Sequence, residues 1–328
     1  MTYVENPLRP TSFLMKRVAE KNATLMRGLP IAEQREAKSA LADIRMIMPW
    51  TDAVEVECSG VPCLWVYRRD ACPADRVILY LHGGSWIFGD RKTAKAFGVM
   101  LAEMTGYRVL VAEYRLAPEH PYPAGLDDSF AVYNWLLDSG FSPDTIALFG
   151  DSAGGNLCLC LTNRLRRLGM PTPACIGLAS PVTDARKSAA IVSSGIDLIH
   201  TVHNGKEWDI FSLYLHREGQ EEPDRSHPEI SPIVANLAGF PPILVHSGED
   251  EAITADNIAF VEKAYAQGVN AHIKIYGGMF HDFTIVGRTL AESRWSVREM
   301  ASFFRGHLGM PEETEAPSPK TEAVSHVQ

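Results

Sequence analysis

The sequence predicts an α/β fold in which a mostly parallel β-sheet is covered by helices on both faces. Two observations carry this prediction. Short, almost continuously apolar runs recur along the chain, as is typical of strands buried on both faces of a sheet. Segments with apolar residues at three- and four-residue spacing lie between them, as amphipathic helices require. The apolar runs are Val77–Leu81, Val109–Glu113, Ile146–Phe149, Cys175–Ala179, Ile243–His246 and Ala271–Tyr276.

Other elements follow from the same patterns. Two segments, Ala53–Cys58 and Val61–Arg68, alternate apolar and polar residues on either side of Ser59 and Gly60. Such alternation around a turn predicts an antiparallel hairpin, which we expect at the edge of the sheet. Helical periodicity is found over residues 97–104, in Asp256–Gln267 and from Leu290 to Leu308.

Composition bounds the class of protein. The chain has 328 residues, of which 46% are hydrophobic and 22% charged, as in an ordinary globular protein. Its net charge of −9 argues against a nucleic-acid partner, because such binding requires clustered Lys and Arg. No apolar run approaches the ~18 residues of a membrane span, and no signal peptide is visible at the start of the chain. The six cysteines form no compact disulfide framework, so we expect a cytoplasmic protein.

Two regions do not follow the alternation of strands and helices. Residues 1–50 carry helical periodicity without strands, and residues 183–232 interrupt the alternation. We expect both to form an α-helical cap over the carboxyl ends of the strands, where ligands bind in such folds; a peripheral decoration is the alternative. The catalytic domain then comprises residues 51–182 and 233–310, and the acidic, proline-bearing residues 311–328 form a disordered tail.

A Gly-Asp-Ser-Ala-Gly-Gly segment at residues 150–155 directly follows one predicted strand and opens a predicted helix. Strand, sharp turn and helix in this order form a nucleophile elbow. The turn strains Ser152 and crowds its neighbours, so only small residues fit at Gly150 and Gly154. The Ser152 hydroxyl would stand at the positive end of the helix, as a nucleophile requires. A glycine-rich turn capped by serine is the alternative.

A serine nucleophile needs a base and an orienting carboxylate. The base is predicted to be His281, because it lies in a loop after the last predicted strand. The preceding strand runs into three acids, of which Asp250 is the predicted partner of the base and Glu251 the alternative. Asp282 is adjacent to His281 in sequence but points away from it in most extended geometries. The chain order Ser152, Asp250, His281 is that of α/β hydrolases.

The carbonyl oxygen of a substrate needs fixed N–H donors when serine attacks it. Residues 82–86, His-Gly-Gly-Ser-Trp, follow the first strand of the parallel set. The glycines allow close approach of the backbone, so Gly83 and Gly84, with the amide of Ala153, are the predicted oxyanion hole. Further substrate contacts are predicted at Ser85, Trp86 and Asp151.

Three motifs together resemble the hormone-sensitive-lipase-like family (family IV) of carboxylesterases. They are the His-Gly-Gly at residues 82–84, the Glu-Tyr-Arg-Leu-Ala-Pro-Glu-His-Pro-Tyr-Pro-Ala block at 113–124, and the segment at 150–155. The resemblance spans roughly residues 76–308 and implies an α/β-hydrolase fold with a helical cap. It also implies that Ser152, Asp250 and His281 form a catalytic triad and that the Gly-Gly loop forms the oxyanion hole. This sequence departs from the family pattern at Ser85, where the third loop glycine usually stands.

The resemblance implies a serine carboxylesterase that hydrolyses small-molecule esters with short to medium acyl chains through an acyl-enzyme. No metal and no organic cofactor is expected. A homodimer formed through the last edge of the sheet is compatible with the family. A lactonase, an amidase or an acyltransferase would use the same triad. A small-ligand receptor on this scaffold is the alternative from another class, but such receptors lack the catalytic histidine, whereas His281 is present here.

Overall fold

A computed structural model describes residues 2–4, 13–18, 21, 29–43, 49–69, 73–186, 200–203 and 206–309. The strands within these ranges are β1 (Thr2–Val4), β2 (Thr51–Cys58), β3 (Val61–Arg68), β4 (Val77–Leu81), β5 (Arg108–Ala112), β6 (Ile146–Asp151), β7 (Cys175–Ala179), β8 (His200–His203), β9 (Lys206–Asp209), β10 (Ile243–Gly248) and β11 (Ala271–Tyr276). The principal helices are α1 (Ile31–Asp43), α2 (Arg91–Thr105), α3 (Ala124–Asp138), α4 (Ser152–Arg167), α5 (Ile210–Leu215), α6 (Thr254–Ala266) and α7 (Ala291–Leu308).

Nine strands form one sheet in the order β1-β11-β10-β7-β6-β4-β5-β3-β2. The pairings from β1 to β5 along this order are parallel, whereas β3 pairs antiparallel with both β5 and β2. The predicted parallel sheet is therefore confirmed, and the predicted hairpin lies at its edge.

The parallel strands are apolar throughout because helices cover both faces of the sheet. On β4, Leu79 and Leu81 belong to the core beneath α4, whereas Ile78 and Tyr80 belong to the core beneath α2 and α7. All five residues of β4 are buried. The pleat thus divides one continuous apolar run between two cores, as expected for a strand buried on both faces.

The structure differs from the predicted elements in two short pieces. The strand β1 pairs with β11 at the sheet edge, although residues 1–50 were expected to lack strands. The strands β8 and β9 pair as an antiparallel ribbon, whereas the sequence predicts a purely helical insertion there. Pieces of three or four residues are too short to show a period, so tertiary pairing decides their conformation.

Parts of the predicted cap lie against loops at the carboxyl ends of the strands. Arg35 on α1 donates hydrogen bonds to the carbonyl oxygens of Ile87 (2.8 Å) and Ala117 (2.7 Å). Lys16 forms an ion pair with Asp250 in the loop after β10. The predicted tail at 311–328 lies outside the described residues. Among the residues that the structure covers, no helix has both the length and the apolar character needed to cross a membrane.

Candidate active site

Ser152 is the first residue of α4 and directly follows β6. Its φ is +49°, a left-handed conformation that side chains other than glycine rarely adopt, and it is 6% exposed. A Cβ at Gly154 would lie 1.9 Å from the carbonyl oxygen of Leu81, and one at Gly150 would lie 2.5 Å from the Gly154 backbone. Both positions therefore require glycine, and the turn has the form of a nucleophile elbow.

His281 lies in the loop after β11 and contacts Ser152. Its Nε2 atom is 2.9 Å from the Ser152 Oγ atom, a hydrogen-bonding distance across 129 residues of chain. This geometry allows the imidazole to accept the hydroxyl proton when the oxygen attacks an electrophile.

The second ring nitrogen of His281 contacts Glu251. Its Nδ1 atom is 2.8 Å from the Glu251 Oε2 atom, and the Glu251 side chain is fully buried. The other carboxylate oxygen, Oε1, accepts hydrogen bonds from the Ser180 hydroxyl (3.0 Å) and the Gly248 backbone N–H. Three donors thus hold this carboxylate, which fixes the orientation of the imidazole.

Asp250, the predicted partner of the base, lies elsewhere. Its side chain is 39% exposed and pairs with Lys16, while its backbone N–H donates to the Met279 carbonyl oxygen (2.9 Å). In the turn after β10 the Asp250 side chain faces outwards, whereas the Glu251 side chain is buried. The structure therefore brings the alternative, Glu251, to His281 in place of Asp250.

Asp282 also departs from its expected orientation. Its Oδ2 atom is 3.5 Å from the His281 Nε2 atom, although the prediction directed this side chain away from the histidine. The prediction assumed an extended chain, whereas Asp282 has a φ of +60° and its N–H donates to the Ser180 hydroxyl (3.2 Å). The left-handed turn brings the carboxylate back towards the imidazole. Neither the Asp282 orientation nor the Ser180 contacts left a signal in the sequence, because both depend on tertiary contacts.

The loop after β4 carries the predicted oxyanion donors. Its Gly83 backbone N–H faces the Asp151 carboxyl group and lowers the pKa of that group, against the larger effect of burial. The carbonyl oxygen of Gly84 accepts from the N–H groups of Ile87 (3.0 Å) and Phe88 (2.8 Å), which fixes the loop. Gly83 lies in this loop beside Gly84, as the predicted donor set requires.

Other amides at this site remain available. The N–H groups of Gly84 and Ser85 donate to none of the described residues. Ala153 occupies the second position of α4, where backbone N–H groups have no partner within the helix. Gly83, Gly84 and Ala153 therefore stay the predicted donors of the oxyanion hole.

Trp86 packs away from the site. It is 1% exposed and stacks on Tyr214 of α5, with ring centroids 4.3 Å apart and an interplanar angle of 8°. The predicted substrate contact is therefore replaced by a packing role that joins the oxyanion loop to the inserted region. Ser85, by contrast, is half-buried and has a φ of +58°, a conformation that explains why glycine is usual at this position of the family.

Asp151 lies in the wall of a cavity beside the oxyanion loop. Its Oδ1 atom accepts a hydrogen bond from the Tyr80 hydroxyl (2.8 Å), and burial raises the pKa of its carboxyl group to about 6. The cavity has a volume of about 350 Å³. Its wall includes Gly83, Gly84, Asp151, Asp282, Phe88 and Lys38.

No group of three or more His, Cys, Asp or Glu residues within the described ranges is arranged to hold a metal ion. The candidate site brings together a strained serine, a histidine, a buried carboxylate and backbone amides. These lie at the carboxyl ends of parallel strands, in the chain order Ser152, Glu251, His281. Fold and site together define an α/β hydrolase.

Comparisons with known proteins identify the family. A protein family described as having the alpha/beta hydrolase fold matches residues 78–285, and the chain belongs to it. An esterase from Acinetobacter venetianus is 32% identical over 235 residues, which are 70% of this chain and 75% of that protein. An acetyl-hydrolase from Streptomyces hygroscopicus is 32% identical over 250 residues, 75% of this chain and 81% of that protein.

A solved structure of an esterase from the bacterial hormone-sensitive lipase family has a TM-score of 0.81 and 30% sequence identity. The matched region comprises 93% of the present chain and 100% of the chain of the solved structure. The chain is a carboxylic ester hydrolase that resembles the hormone-sensitive lipase family in sequence motifs and in fold.

Proposed function

We propose that this protein is a serine carboxylesterase in which Ser152 is the nucleophile, His281 the general base and Glu251 the residue that orients the imidazole. The observation that carries the proposal is the unbroken chain of contacts from Ser152 Oγ to His281 Nε2 (2.9 Å) and from His281 Nδ1 to Glu251 Oε2 (2.8 Å). This is the arrangement that lets a neutral serine attack a carbonyl carbon.

The reaction proceeds through an acyl-enzyme. His281 takes the proton of the Ser152 hydroxyl as its oxygen attacks the ester carbonyl, and the buried charge of Glu251 stabilises the resulting imidazolium. The amides of Gly83, Gly84 and Ala153 stabilise the oxyanion. His281 then gives its proton to the departing alcohol. A water molecule, activated by the same histidine, releases the carboxylic acid and restores the serine.

We propose short to medium acyl chains as the preferred substrates. The cavity of about 350 Å³ beside the oxyanion loop is of a size that holds a small organic group. A relative named acetyl-hydrolase, which acts on the shortest of such groups by its name, also favours this range. Residues 1–50 and 183–232 are proposed to cap the site, because Arg35, Trp86 and Tyr214 join these regions to the oxyanion loop.

Hydrolysis of p-nitrophenyl butyrate tests the proposal. We expect Ser152→Ala to lose kcat by about 10⁴-fold or more with an unchanged circular dichroism spectrum. A fluorophosphonate probe should label the native protein and not this variant. Ser139→Ala, at the exposed end of α3, is the matched control and should retain both properties. Turnover retained by Ser152→Ala, or a native protein that neither reacts with the probe nor hydrolyses esters, would overturn the proposal.

A further inference from the structure

Lys38 is a half-buried cation beside the oxyanion loop. Its Nζ atom lies 4.1 Å from the centroid of the Phe88 ring. Its ammonium group forms no ion pair or hydrogen bond with any residue that the structure describes. Burial lowers the pKa of its ammonium group to about 8. A cation in this position has lost much of its hydration without gaining a counter-ion from the described residues.

The position of Lys38 is fixed by the docking of α1. Ile31 and Gln34 on the same helix are buried, and Arg35 bonds to the carbonyl oxygens of Ile87 and Ala117. Lys38 follows Arg35 by three residues and therefore lies on the same face of the helix, one turn further along. The ammonium group is thus carried to the loop by a well-anchored element.

The cavity that Lys38 lines also reaches the proposed oxyanion hole, because Gly84 forms part of its wall. Two carboxyl groups face the same cavity, but both are engaged elsewhere. Asp151 accepts from the Tyr80 hydroxyl, and Asp282 lies 3.5 Å from the His281 imidazole. Neither forms an ion pair with Lys38, so an anion from a ligand would complete the site.

We propose that Lys38 is a specificity-determining residue that binds a carboxylate carried by the substrate ester, in the group that enters this cavity. The inference rests on the proposed esterase function. The two acids in the cavity wall favour a singly charged carboxylate over a doubly charged phosphate, since they repel the second charge. Lys38 does not touch the reacting atoms. Hydrolysis of such an ester yields an alcohol and an acid, one of which retains the carboxylate.

Matched esters test which half of the substrate carries the charge. The first arm compares the monomethyl esters of succinate, glutarate and adipate with methyl butyrate, methyl pentanoate and methyl hexanoate. The second arm compares the butyryl ester of glycolate with propyl butyrate. We expect kcat/KM in at least one arm to favour the carboxylated ester by about tenfold, the magnitude of one charge-assisted hydrogen bond. No preference in either arm overturns the proposal.

Variants of Lys38 test its part in that preference. Lys38→Met should bring the preference, expressed as the ratio of kcat/KM for the carboxylated ester to kcat/KM for its neutral match, to about one, since the binding of the anion is lost. Lys38→Arg should retain most of the preference. The matched control is Lys92→Met, which removes an exposed positive charge from α2 and should change neither value. A preference that survives in Lys38→Met overturns the proposal.

The pH dependence supplies a second readout. Because kcat/KM reports the free enzyme, the preference should decline as the pH rises through about 8, where Lys38 loses its charge. Binding of monomethyl glutarate to Ser152→Ala, measured by calorimetry, should weaken about tenfold on adding Lys38→Met. Loss of all ester hydrolysis would contradict the proposed function, whereas hydrolysis of neutral esters without any charge preference would contradict this inference alone.

Discussion

At the scale of single residues, the identity of the acid decides how His281 is held. Glu251 is buried and accepts hydrogen bonds from Ser180 and Gly248, whereas Asp250 faces outwards towards Lys16. We expect Glu251→Gln to lower kcat for p-nitrophenyl butyrate by about 10²- to 10⁴-fold, because the imidazolium loses its neighbouring charge. Asp250→Asn, the matched neighbour, should change kcat by less than about threefold. Steady-state kinetics check both, and a larger loss in Asp250→Asn would restore the original assignment.

A second prediction at this scale concerns the backbone of Ser85. Its φ of +58° carries a penalty of about 1–2 kcal/mol for a residue with a Cβ. Part of that penalty is offset by the greater entropy that glycine has when unfolded, so Ser85→Gly should raise the free energy of unfolding by about 0.5–1 kcal/mol. Urea denaturation measures this change.

Ser59 is the matched control for Ser85. It has a φ of +51° in the turn of the edge hairpin, remote from the site. Ser59→Gly should stabilise the fold by a similar amount and leave kcat/KM unchanged, whereas Ser85→Gly should also alter kcat/KM, because it reshapes the oxyanion loop. A lower free energy of unfolding in Ser85→Gly would contradict this prediction. It would mean that contacts of the serine side chain stabilise the fold by more than the backbone strain at this residue destabilises it.

At the scale of elements, the packing of α1 onto the fold has a desolvation cost, because it buries the charged side chain of Lys38. The pKa of Lys38 is lowered by burial to about 8, so the folded chain binds fewer protons than the unfolded chain between about 8 and about 10.4. Stability therefore rises with pH through that window. Lys38→Met should raise the free energy of unfolding at neutral pH by roughly 1–3 kcal/mol, and the gain should vanish above about pH 10.4.

Denaturation at two pH values, on either side of this window, checks that prediction. Lys92→Met, an exposed lysine on the neighbouring helix, should show no such gain. A Lys38→Met variant that is less stable than the native protein at neutral pH would show that the ammonium group stabilises the fold. The expected combination, higher stability with lost carboxylate preference, is the trade-off typical of a residue retained for binding.

The elements differ in how far the sequence could predict them. Cys175–Ala179 and Ala271–Tyr276 were predicted with the observed bounds, because burial on both faces leaves a continuous apolar run. The strand from Ile243 extends to Gly248 instead of His246, since hydrogen bonding to β11 continues past the apolar residues. The residues of β1 and of the ribbon have no period long enough to detect. The hydrophobic pattern of the sequence therefore predicts the strands and helices that bury a whole face. The ends of strands and the short strands depend on the strand with which they pair.

At the scale of the whole molecule, the site is assembled from loops that follow β4, β6, β10 and β11. The elbow around Ser152 was predictable because strain and crowding leave a local glycine pattern. The choice between Asp250 and Glu251 as the partner of His281 could not be predicted from the sequence. It depends on how the turn after β10 packs against the loop that carries His281. The position of Lys38 beside the site could not be predicted from a sequence motif either, because Lys38 becomes buried only when α1 packs onto the oxyanion loop. Features that depend on neighbouring residues, such as the glycines of the elbow, can thus be predicted from the sequence. Contacts between loops that are distant in the chain cannot be predicted in this way.

The acid stability of the molecule depends on His246, which is buried in β10 beneath α7. Its Nδ1 atom lies 2.7 Å from the Ser296 hydroxyl, and its Nε2 atom lies 3.6 Å from the Glu299 carboxylate. Burial lowers the pKa of this imidazole to about 4, although Glu299 acts in the opposite direction. The unfolded chain, with an ordinary pKa of about 6.5, therefore binds more protons than the folded chain between these values.

The free energy of unfolding should consequently fall by roughly 2–3 kcal/mol from this residue alone as the pH drops from about 6.5 to about 4. His246→Gln cannot acquire the buried charge, so its loss of stability over the same interval should be smaller by that amount. Urea denaturation at several pH values measures the difference. His272→Gln, exposed on the neighbouring strand β11, is the matched control and should follow the native pH dependence. Parallel curves for the native protein and His246→Gln would mean that Glu299 stabilises the imidazolium enough to compensate for burial.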